Sequence, residues 1–452
     1  MSELGTAQVI RANARNLPLA DNSVDLVVTS PPYFALRSYQ DGGEHYAGQI
    51  GDEPTPAEFV DALLEVTREC VRVLKPSGSL WVNLGDKYQA NANNGTPGSS
   101  DGLTGRSYDS VQRNYGFRPK TLLGIPWRYA LRCIDDLSLI LRAEVIWSKP
   151  NGLPESVTDR VRRSHEQWFH FTLEPRYFSA VDEIREPHAA EPKTSGMAKL
   201  DGRSGQAART LTSVQNPLGK LPGSVWTVPT EPLRVPDHLG IDHFAAFPTE
   251  WPKRIIQGWS PAGVCVECGE GRRPVVAKSL QVDHAQRNAY RPGTIDGHKR
   301  WNVDVGADRV VGTTSATITG HACACGIQEG VTWTPSSSSP TAAESSTPTS
   351  TSSWTSSTTA GSTQCAAASV TPPPTRPAVV LDPFGGTGTT AMVAKALGRH
   401  GISVDMSADY CRLAQWRTND RDQLAKVLGI AKAEQQPDDQ LSMLDLLDGG
   451  AA

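Results

Sequence analysis

Long hydrophobic runs are missing from this sequence of 452 residues. No stretch approaches the roughly twenty consecutive apolar residues that a membrane-spanning helix needs. The N-terminal residues MSELGTAQVIRANARN also lack the apolar core of a secretory signal. The sequence therefore predicts a soluble protein of the cytoplasm.

An excess of positive charge is absent as well, because the formal net charge at pH 7 is −4. Nucleic-acid binding would therefore depend on a local basic surface and not on the charge of the whole chain. The eight cysteines do not have the spacing of a secreted disulfide framework. Cys70, Cys133 and Cys411 stand singly in apolar or helix-like contexts, which is typical of reduced core thiols.

Strand-like and helix-like patterns alternate over residues 7–150. The segment TPAEFVDALLEVTRECVRVLKPSG predicts an amphipathic helix with Thr55 as N-cap and Glu58 completing a capping box. A second helix pattern, TLLGIPWRYALRCIDD, is broken early by Pro126. Such alternation indicates an α/β fold with a mostly parallel sheet and helices on both faces.

Two predicted strands stop abruptly on unusual turns. In SVDLVVTSPPY an apolar run meets Pro31 and Pro32, which end any strand or helix and alone are typical of a common turn. In AVVLDPFGGTGTTAMVAKALGRHGISVD a strand, a glycine-rich turn, a helix and a strand ending on Asp405 follow one another. Asp405 stands 17 positions after Gly388, a spacing that suits an acidic residue binding ribose hydroxyls, so this pattern predicts a cofactor site.

Both motifs resemble those of the amino-methylating DNA methyltransferases. TSPPY is similar to the family's catalytic motif, [DNS]-P-P-Y, and LDPFGGTGTT is similar to its S-adenosylmethionine-binding motif. The catalytic motif comes first, which is the circularly permuted order of the β group of this family. The resemblance implies a Rossmann-like, circularly permuted methyltransferase fold with an inserted target-recognition segment and a small cysteine-rich insertion, in the cytoplasm of a bacterium or a phage-infected cell.

Composition and resemblance together divide the chain into seven predicted parts. The Ser/Thr/Pro-rich stretch has hardly a charge and cannot bury enough apolar surface to fold, which predicts a disordered linker. The parts are the catalytic half of the methyltransferase domain (7–182), the target-recognition segment (183–240), a return to the domain (241–260), the cysteine-rich insertion (261–334), the linker (335–376), the cofactor-binding half (377–432) and a flexible tail (433–452).

The catalytic motif offers groups suited to methylating an exocyclic amine. Such a nitrogen is a poor nucleophile, because its lone pair is delocalised into the base, and it needs acceptors for its N–H groups as it becomes tetrahedral. The resemblance implies that the Ser30 hydroxyl and the Pro31 carbonyl are these acceptors, beside Pro32, and that Tyr33 stacks on a flipped base. In this family Ser at the first motif position usually accompanies cytosine N4 and Asp adenine N6, so N4-cytosine is favoured and N6-adenine stays open.

The resemblance also implies a set of cofactor-binding residues. Thr389 and Thr390 either bind the methionine carboxylate or simply cap the helix. Asn13 stands where many relatives have an Asp that contacts the adenine amino group. The full set is Asn13, Asp382, Phe384, Gly385, Gly386, Thr387, Gly388, Thr389, Thr390 and Asp405.

Basic residues follow the matched WSKPNGLPESVTD stretch and recur in the predicted target-recognition segment. Phosphate contacts are one interpretation; a salt-bridged, solvated helix face with Asp159 and Glu166 is the other. The candidate DNA-binding residues are Lys149, Arg160, Arg162, Arg163, Lys199, Arg203 and Arg209.

Two cysteine pairs, in CVECG and HACACG, each end on glycine as zinc-binding turns often do. Cys265, Cys268, Cys323 and Cys325 predict one structural zinc, with His321 as a spare ligand and free reduced thiols as the alternative. The leading hypothesis is a site-specific methyltransferase of double-stranded DNA that uses S-adenosylmethionine, either solitary or paired with a restriction nuclease. An RNA or protein methyltransferase and a non-catalytic DNA-binding protein are the alternatives.

Overall fold

The computed structural model describes residues 4–35, 40–41, 44–45, 48–89, 115–152, 154–188, 216–241, 246–282, 312–323 and 374–430. The helices in these ranges are α1 (Pro56–Val73), α2 (Ile125–Leu137), α3 (Glu250–Trp259), α4 (Thr389–Ala396), α5 (Ala408–Asn419) and α6 (Arg421–Leu428). The strands are β1 (Thr6–Arg11), β2 (Val24–Thr29), β3 (Gln40–Asp41), β4 (Glu44–His45), β5 (Leu74–Leu84), β6 (Ile140–Ser148), β7 (His165–Thr172), β8 (Val225–Thr227), β9 (Val264–Cys265), β10 (Arg273–Val282), β11 (Gly312–Ala322), β12 (Thr375–Arg376), β13 (Val379–Asp382) and β14 (His400–Asp405).

Eight of these strands form one sheet in the order β1-β14-β13-β2-β5-β7-β6-β8. Neighbours pair in parallel, except that β7 runs antiparallel to both β5 and β6. Apolar side chains of α1 and α2 cover one face of the sheet, and those of α3, α4 and α6 cover the other. The predicted α/β fold with a mostly parallel sheet is confirmed.

The two strands that carry the motifs, β2 and β13, are neighbours in this sheet. Leu26 lies opposite Val380, and Val27 lies opposite Leu381. The chain passes through α1 from β2 to β5 on one side and through α4 from β13 to β14 on the other. The border between β2 and β13 is therefore a topological switch point, where ligands bind in sheets of this kind.

Local sequence signals account for the two longest helices. The N-cap Thr55 accepts from the Glu58 N–H at 3.2 Å and donates its own N–H to Glu58 Oε2 at 3.0 Å, so the predicted capping box is confirmed. The sequence predicts that Pro126 breaks this helix, but Pro126 instead lies in the first turn of α2. A proline costs nothing there, because that N–H has no partner within the helix.

Three short elements differ from the sequence prediction. Strand β7 lies in a stretch that shows no clear strand period, because Trp168, Phe169 and Phe171 are buried on both faces of the sheet. Strand β8, within the predicted target-recognition segment, extends the main sheet by pairing with β6. Strand β12, at the end of the predicted linker, pairs with β9, whereas residues 335–373 and the tail from 431 lie outside the described residues.

No helix in the described part of the chain is long and apolar enough to cross a membrane.

Candidate active site

A cleft that is partly open to solvent lies at the carboxyl edge of the sheet. Its walls come from the loops that follow β1, β2, β13 and β14, with further residues from the chain at 48–50 and 246–247. The predicted site residues in the wall are Asn13, Ser30, Pro32, Phe384, Gly385, Gly386, Thr387, Thr389 and Asp405. The structure thus brings the proline motif and the glycine-rich motif to one cavity, although Thr29 and Asp382 are 353 positions apart.

The loop after β2 is anchored by Asn83, a buried residue of β5 that stands in no recognisable sequence motif. The Ser30 hydroxyl donates to Asn83 Oδ1 at 3.2 Å, and Asn83 Nδ2 donates to the Gln167 carbonyl at 3.0 Å. Because the amide nitrogen of Asn83 donates to this carbonyl, Asn83 Oδ1 is the atom that accepts from Ser30. The Ser30 oxygen keeps lone pairs with which to accept a hydrogen bond in the cleft.

Tyr33 is held at both ends of its side chain. Its hydroxyl lies 2.7 Å from Asn83 Oδ1 and 2.6 Å from Glu166 Oε2, two acceptors for one proton, and Lys149 donates to the other oxygen of Glu166. A Cβ atom at Gly85 would lie 2.7 Å from Tyr33 Cε2, so the ring packs closely against that glycine. Among the described residues Tyr33 is not part of the cleft wall, and its stacking on a base stays a prediction.

Asp382 supports the site from inside the protein. Its buried carboxylate accepts from Thr29 Oγ1 at 2.7 Å, from Thr390 Oγ1 at 2.8 Å and from the Phe384 N–H at 3.1 Å. Burial raises the pKa of this carboxyl to about 6. Asp382 therefore links the end of β2 to the glycine-rich loop and is not part of the cleft wall.

The predicted capping by Thr389 or Thr390 is wrong, because the N-cap of α4 is Gly388, which has no side chain to cap with. Thr390 is buried and donates to Asp382 beneath the loop, so the structure places its hydroxyl away from the cleft wall. Thr389 lies in the wall.

The glycine-rich loop packs tightly against β14. A Cβ atom at Gly385 would lie only 1.9 Å from Ser403 Oγ, so no side chain fits there. The Gly386 N–H donates to Asp405 Oδ2 at 2.9 Å, and the Ser407 N–H donates to Asp405 Oδ1 at 2.9 Å. Backbone N–H groups therefore orient the Asp405 carboxylate in the cleft wall.

Arg417, on α5, fixes the same loop from behind and is not identified by the sequence analysis. Its Nη1 donates to Thr387 Oγ1 at 2.8 Å and to Thr389 Oγ1 at 2.6 Å. The side chain is buried, and burial lowers its pKa to about 10. An arginine in a helix pattern suggests a solvated surface, so only the tertiary structure shows this role.

The candidate DNA-binding residues that the structure describes are largely paired with carboxylates. Lys149 donates to Glu166, Arg160 Nη1 lies 2.6 Å from Glu155 Oε2, and Arg163 Nη1 lies 3.4 Å from Asp86 Oδ2. Residues 154–164 form no helix, so the predicted helix face is wrong, but ion pairing is present. Arg162 Nη1 donates to the Gly152 carbonyl at 3.0 Å. Lys199, Arg203 and Arg209 lie outside the described residues.

Three of the four predicted metal ligands come together. The sulfur atoms of Cys265, Cys268 and Cys323 all lie within 4.8 Å of one another. The backbone N–H of Cys268 lowers the pKa of the Cys265 thiol to about 7. His321 Nε2 instead lies 2.7 Å from Glu183 Oε1, and Cys325 lies outside the described residues. Cys70, Cys133 and Cys411 are buried and reduced.

Comparisons with known proteins identify a family and several relatives. A family model described as DNA methylase, for N6 and N4 methyltransferases, matches residues 24–266 and 370–416. The type II methyltransferase M.SmaI of Serratia marcescens is 33% identical over 294 residues, which cover 62% of this chain and 85% of that protein.

M.XycI of Xanthomonas campestris pv. cyanopsidis is 38% identical over 250 residues, which cover 55% of this chain and 70% of that protein. Among solved structures, the cytosine-N4-specific PvuII DNA methyltransferase aligns with a TM-score of 0.46 at 15% identity. That alignment covers 95% of this chain and 92% of the other.

Proposed function

Because this chain belongs to the DNA methylase family, we propose that it transfers a methyl group from S-adenosylmethionine to an exocyclic amine in double-stranded DNA, with cytosine N4 as the favoured target. The observation that carries this proposal is the shared cleft, in which Ser30 of the proline loop faces the glycine-rich loop at 383–387. A methyl donor on one loop and an amine on the other would meet there.

The donor set of the cleft fits S-adenosylmethionine. Asp405 offers a carboxylate for ribose hydroxyls, the glycine loop lines the wall at 383–387, and Met406 and Tyr410 add apolar surface to the same wall. When bound, the cofactor supplies a methyl group on a positively charged sulfonium. Within this set we assign ribose binding to Asp405 and the support of the methionine end to residues 384–387.

The proline loop would position the amine. The Ser30 hydroxyl is oriented by its hydrogen bond to Asn83 Oδ1, and the Pro31 carbonyl belongs to a backbone that two prolines make rigid. Together these neutral acceptors hold the two N–H groups as the nitrogen becomes tetrahedral. Catalysis by this arrangement is mainly positioning and preorganised electrostatics, and the target base must leave the duplex to reach it.

The preference for cytosine N4 over adenine N6 is supported by one residue, Ser30, at the first position of the proline motif. A hydroxyl there is neutral, whereas the aspartate that usually accompanies adenine N6 is an anion. N6-adenine transfer remains the second candidate. The relatives' names describe type II methyltransferases, and a partner restriction nuclease for this chain stays a prediction.

The test is to incubate the full chain with varied duplex DNA and labelled S-adenosylmethionine and to identify modified nucleosides by mass spectrometry. We expect N4-methylcytosine. N6-methyladenine would overturn the assigned base but not the reaction. Label found only in RNA or protein substrates, or in none, would contradict the proposal as a whole.

An Asp405→Ala variant tests the assigned cofactor site. Loss of two ribose hydrogen bonds should raise the Kd for S-adenosylmethionine about 100-fold or more, as measured by isothermal titration calorimetry. Unchanged affinity would remove Asp405 from the site.

A further inference from the structure

We propose that Cys265, Cys268 and Cys323 bind one structural zinc ion, which joins the base of the β10–β11 ribbon to the strand that leads into the cofactor-binding half. The site is independent of the methyl-transfer proposal, because none of these three residues lines the cleft. Its support comes from the sulfur geometry, the turn that carries two of the thiols and the position of the cluster in the fold.

The sulfur geometry is close to that of a bound ion. Sulfur atoms held by one tetrahedral zinc at about 2.3 Å lie about 3.8 Å apart. The three sulfurs here lie within 4.8 Å of one another, so small side-chain movements bring them into coordination. All three cysteines are reduced.

The turn from Cys265 to Gly269 has the form that directs two thiols to one point. The Gly269 N–H donates to the Cys265 carbonyl at 3.0 Å, and Gly269 adopts a left-handed φ of +72° that favours glycine. The Cys265 N–H also donates to the Glu270 carbonyl at 2.9 Å, which closes the turn. The chain therefore reverses immediately after Cys268, and both thiols lie on one side.

The cluster lies where three chain segments meet. Cys265 belongs to β9, which pairs with β12, and Val266 donates its N–H to the Pro374 carbonyl at 3.1 Å. Cys323 directly follows β11, whose last residue, Ala322, pairs with Arg273 at the start of β10. An ion here would cross-link Cys268 and Cys323, two distant positions of the sequence, and would so restrict the unfolded chain.

The site would be structural. Thiolates are ligands that zinc prefers in structural sites, and such sites add directly to folding free energy. Loss of the ion would weaken the attachment of Cys323, at the base of the ribbon, to the turn that follows β9, while leaving the cleft residues in place.

The experiment uses the untagged full chain, expressed with zinc in the medium and purified under reducing conditions without chelator. We expect about one zinc per chain by inductively coupled plasma mass spectrometry. Cobalt exchanged into the site should show a thiolate-to-metal charge-transfer band. The Cys268→Ser variant should lose zinc at least about fivefold, and because Cys268 is exposed its fold can be checked by circular dichroism.

The matched control is Cys411→Ser, a thiol outside the cluster, which should keep its zinc. Folded wild-type protein with less than about a tenth of a zinc per chain and no cobalt band would overturn the proposal. Equal loss of zinc in both variants, or full zinc in Cys268→Ser, would overturn it too. S-adenosylmethionine binding measured on the same samples reports on the methyl-transfer proposal separately.

Discussion

The two loops that meet in the cleft are held in place by different means. The proline loop at 30–33 is anchored by side chains of other strands, through Asn83 and Glu166. The glycine loop at 383–388 is anchored mainly through its own backbone, by the Gly386 N–H on Asp405 and by close approach to β14.

The difference follows from the residues themselves. Prolines have no N–H to donate, so this loop has few backbone donors and is fixed here through side chains. Glycines leave space for the backbone to approach a neighbouring strand, so a loop made of them is sensitive to any added atom. We therefore expect substitutions around the proline loop to impair methyl transfer and substitutions in the glycine loop to impair cofactor binding.

The largest effect is expected for Tyr33→Ala. It removes the ring that packs against Gly85 and the hydroxyl near Asn83 and Glu166. The transfer rate should fall about 10²–10³-fold, as for loss of a preorganised group, as measured by methyl incorporation into DNA at saturating S-adenosylmethionine.

Tyr33→Phe is the matched control, because it keeps the ring and loses only the hydroxyl, and should cost about tenfold. The Kd for S-adenosylmethionine should stay within about threefold of wild type in both variants. A parallel loss of cofactor affinity would show that the two loops are not separable.

The next effect is expected for Gly385→Ala, which tests the glycine loop. The new Cβ would meet Ser403 Oγ at 1.9 Å, so the loop must move. The Kd for S-adenosylmethionine should rise about 100-fold, which corresponds to a loss of about 2.8 kcal/mol of binding free energy.

Gly386→Ala provides the comparison, because its φ is +48° but its Cβ would have only Phe384 O nearby, at 3.9 Å. The left-handed conformation alone costs about 1–2 kcal/mol, so the loss of affinity should be smaller. Equal losses in the two variants would argue against steric exclusion at Gly385.

A smaller effect is expected for Arg417→Met. The variant loses the charged hydrogen bonds to Thr387 and Thr389, and the free energy of unfolding should fall by about 2–3 kcal/mol, as measured by urea denaturation. Arg412→Met on the same helix is the control, since Arg412 pairs with Asp409 at an exposed position and should change stability by less than about 1 kcal/mol. An equal loss of unfolding free energy in the two variants would show that Arg417 has no specific stabilising role under the glycine loop.

The smallest effect is a pH dependence at Asp382, which contacts both strands. Burial raises the pKa of this carboxyl to about 6 from an ordinary 3.8, so the folded state holds the proton more tightly. Its stabilising contribution is complete below about pH 4 and is lost as the pH rises through about 6. The wild type should therefore be more stable relative to the Asp382→Asn variant at pH 4.5 than at pH 7, as measured by the free energy of unfolding. If this free energy has the same pH dependence in both proteins, the assignment is contradicted.

The sequence predicts both loops of the cleft, because each loop is a local pattern. The strand that ends at Thr29 and the strand that ends at Asp382 each carry their own turn chemistry, and the capping box at Thr55 needs only neighbours in the chain. Strand β7 was missed because burial on both faces removes the alternation that identifies a strand.

The supports of the site could not be predicted in this way. Asn83 has no motif around it, and Arg417 occurs in a helix pattern where an arginine usually faces water. Each acquires its role only through residues far away in the chain, Ser30 for one and Thr387 for the other.

The amino-acid sequence by itself determined the local conformation of the two loops. Proline restricts the backbone dihedral angles and glycine widens their allowed range, whatever the surrounding fold. Only the tertiary structure decided that the loops share a cleft, because adjacency of β2 and β13 is a matter of strand order in the sheet. It also decided which side chains hold them and which thiols cluster. Those contacts depend on long-range packing, which no local pattern encodes.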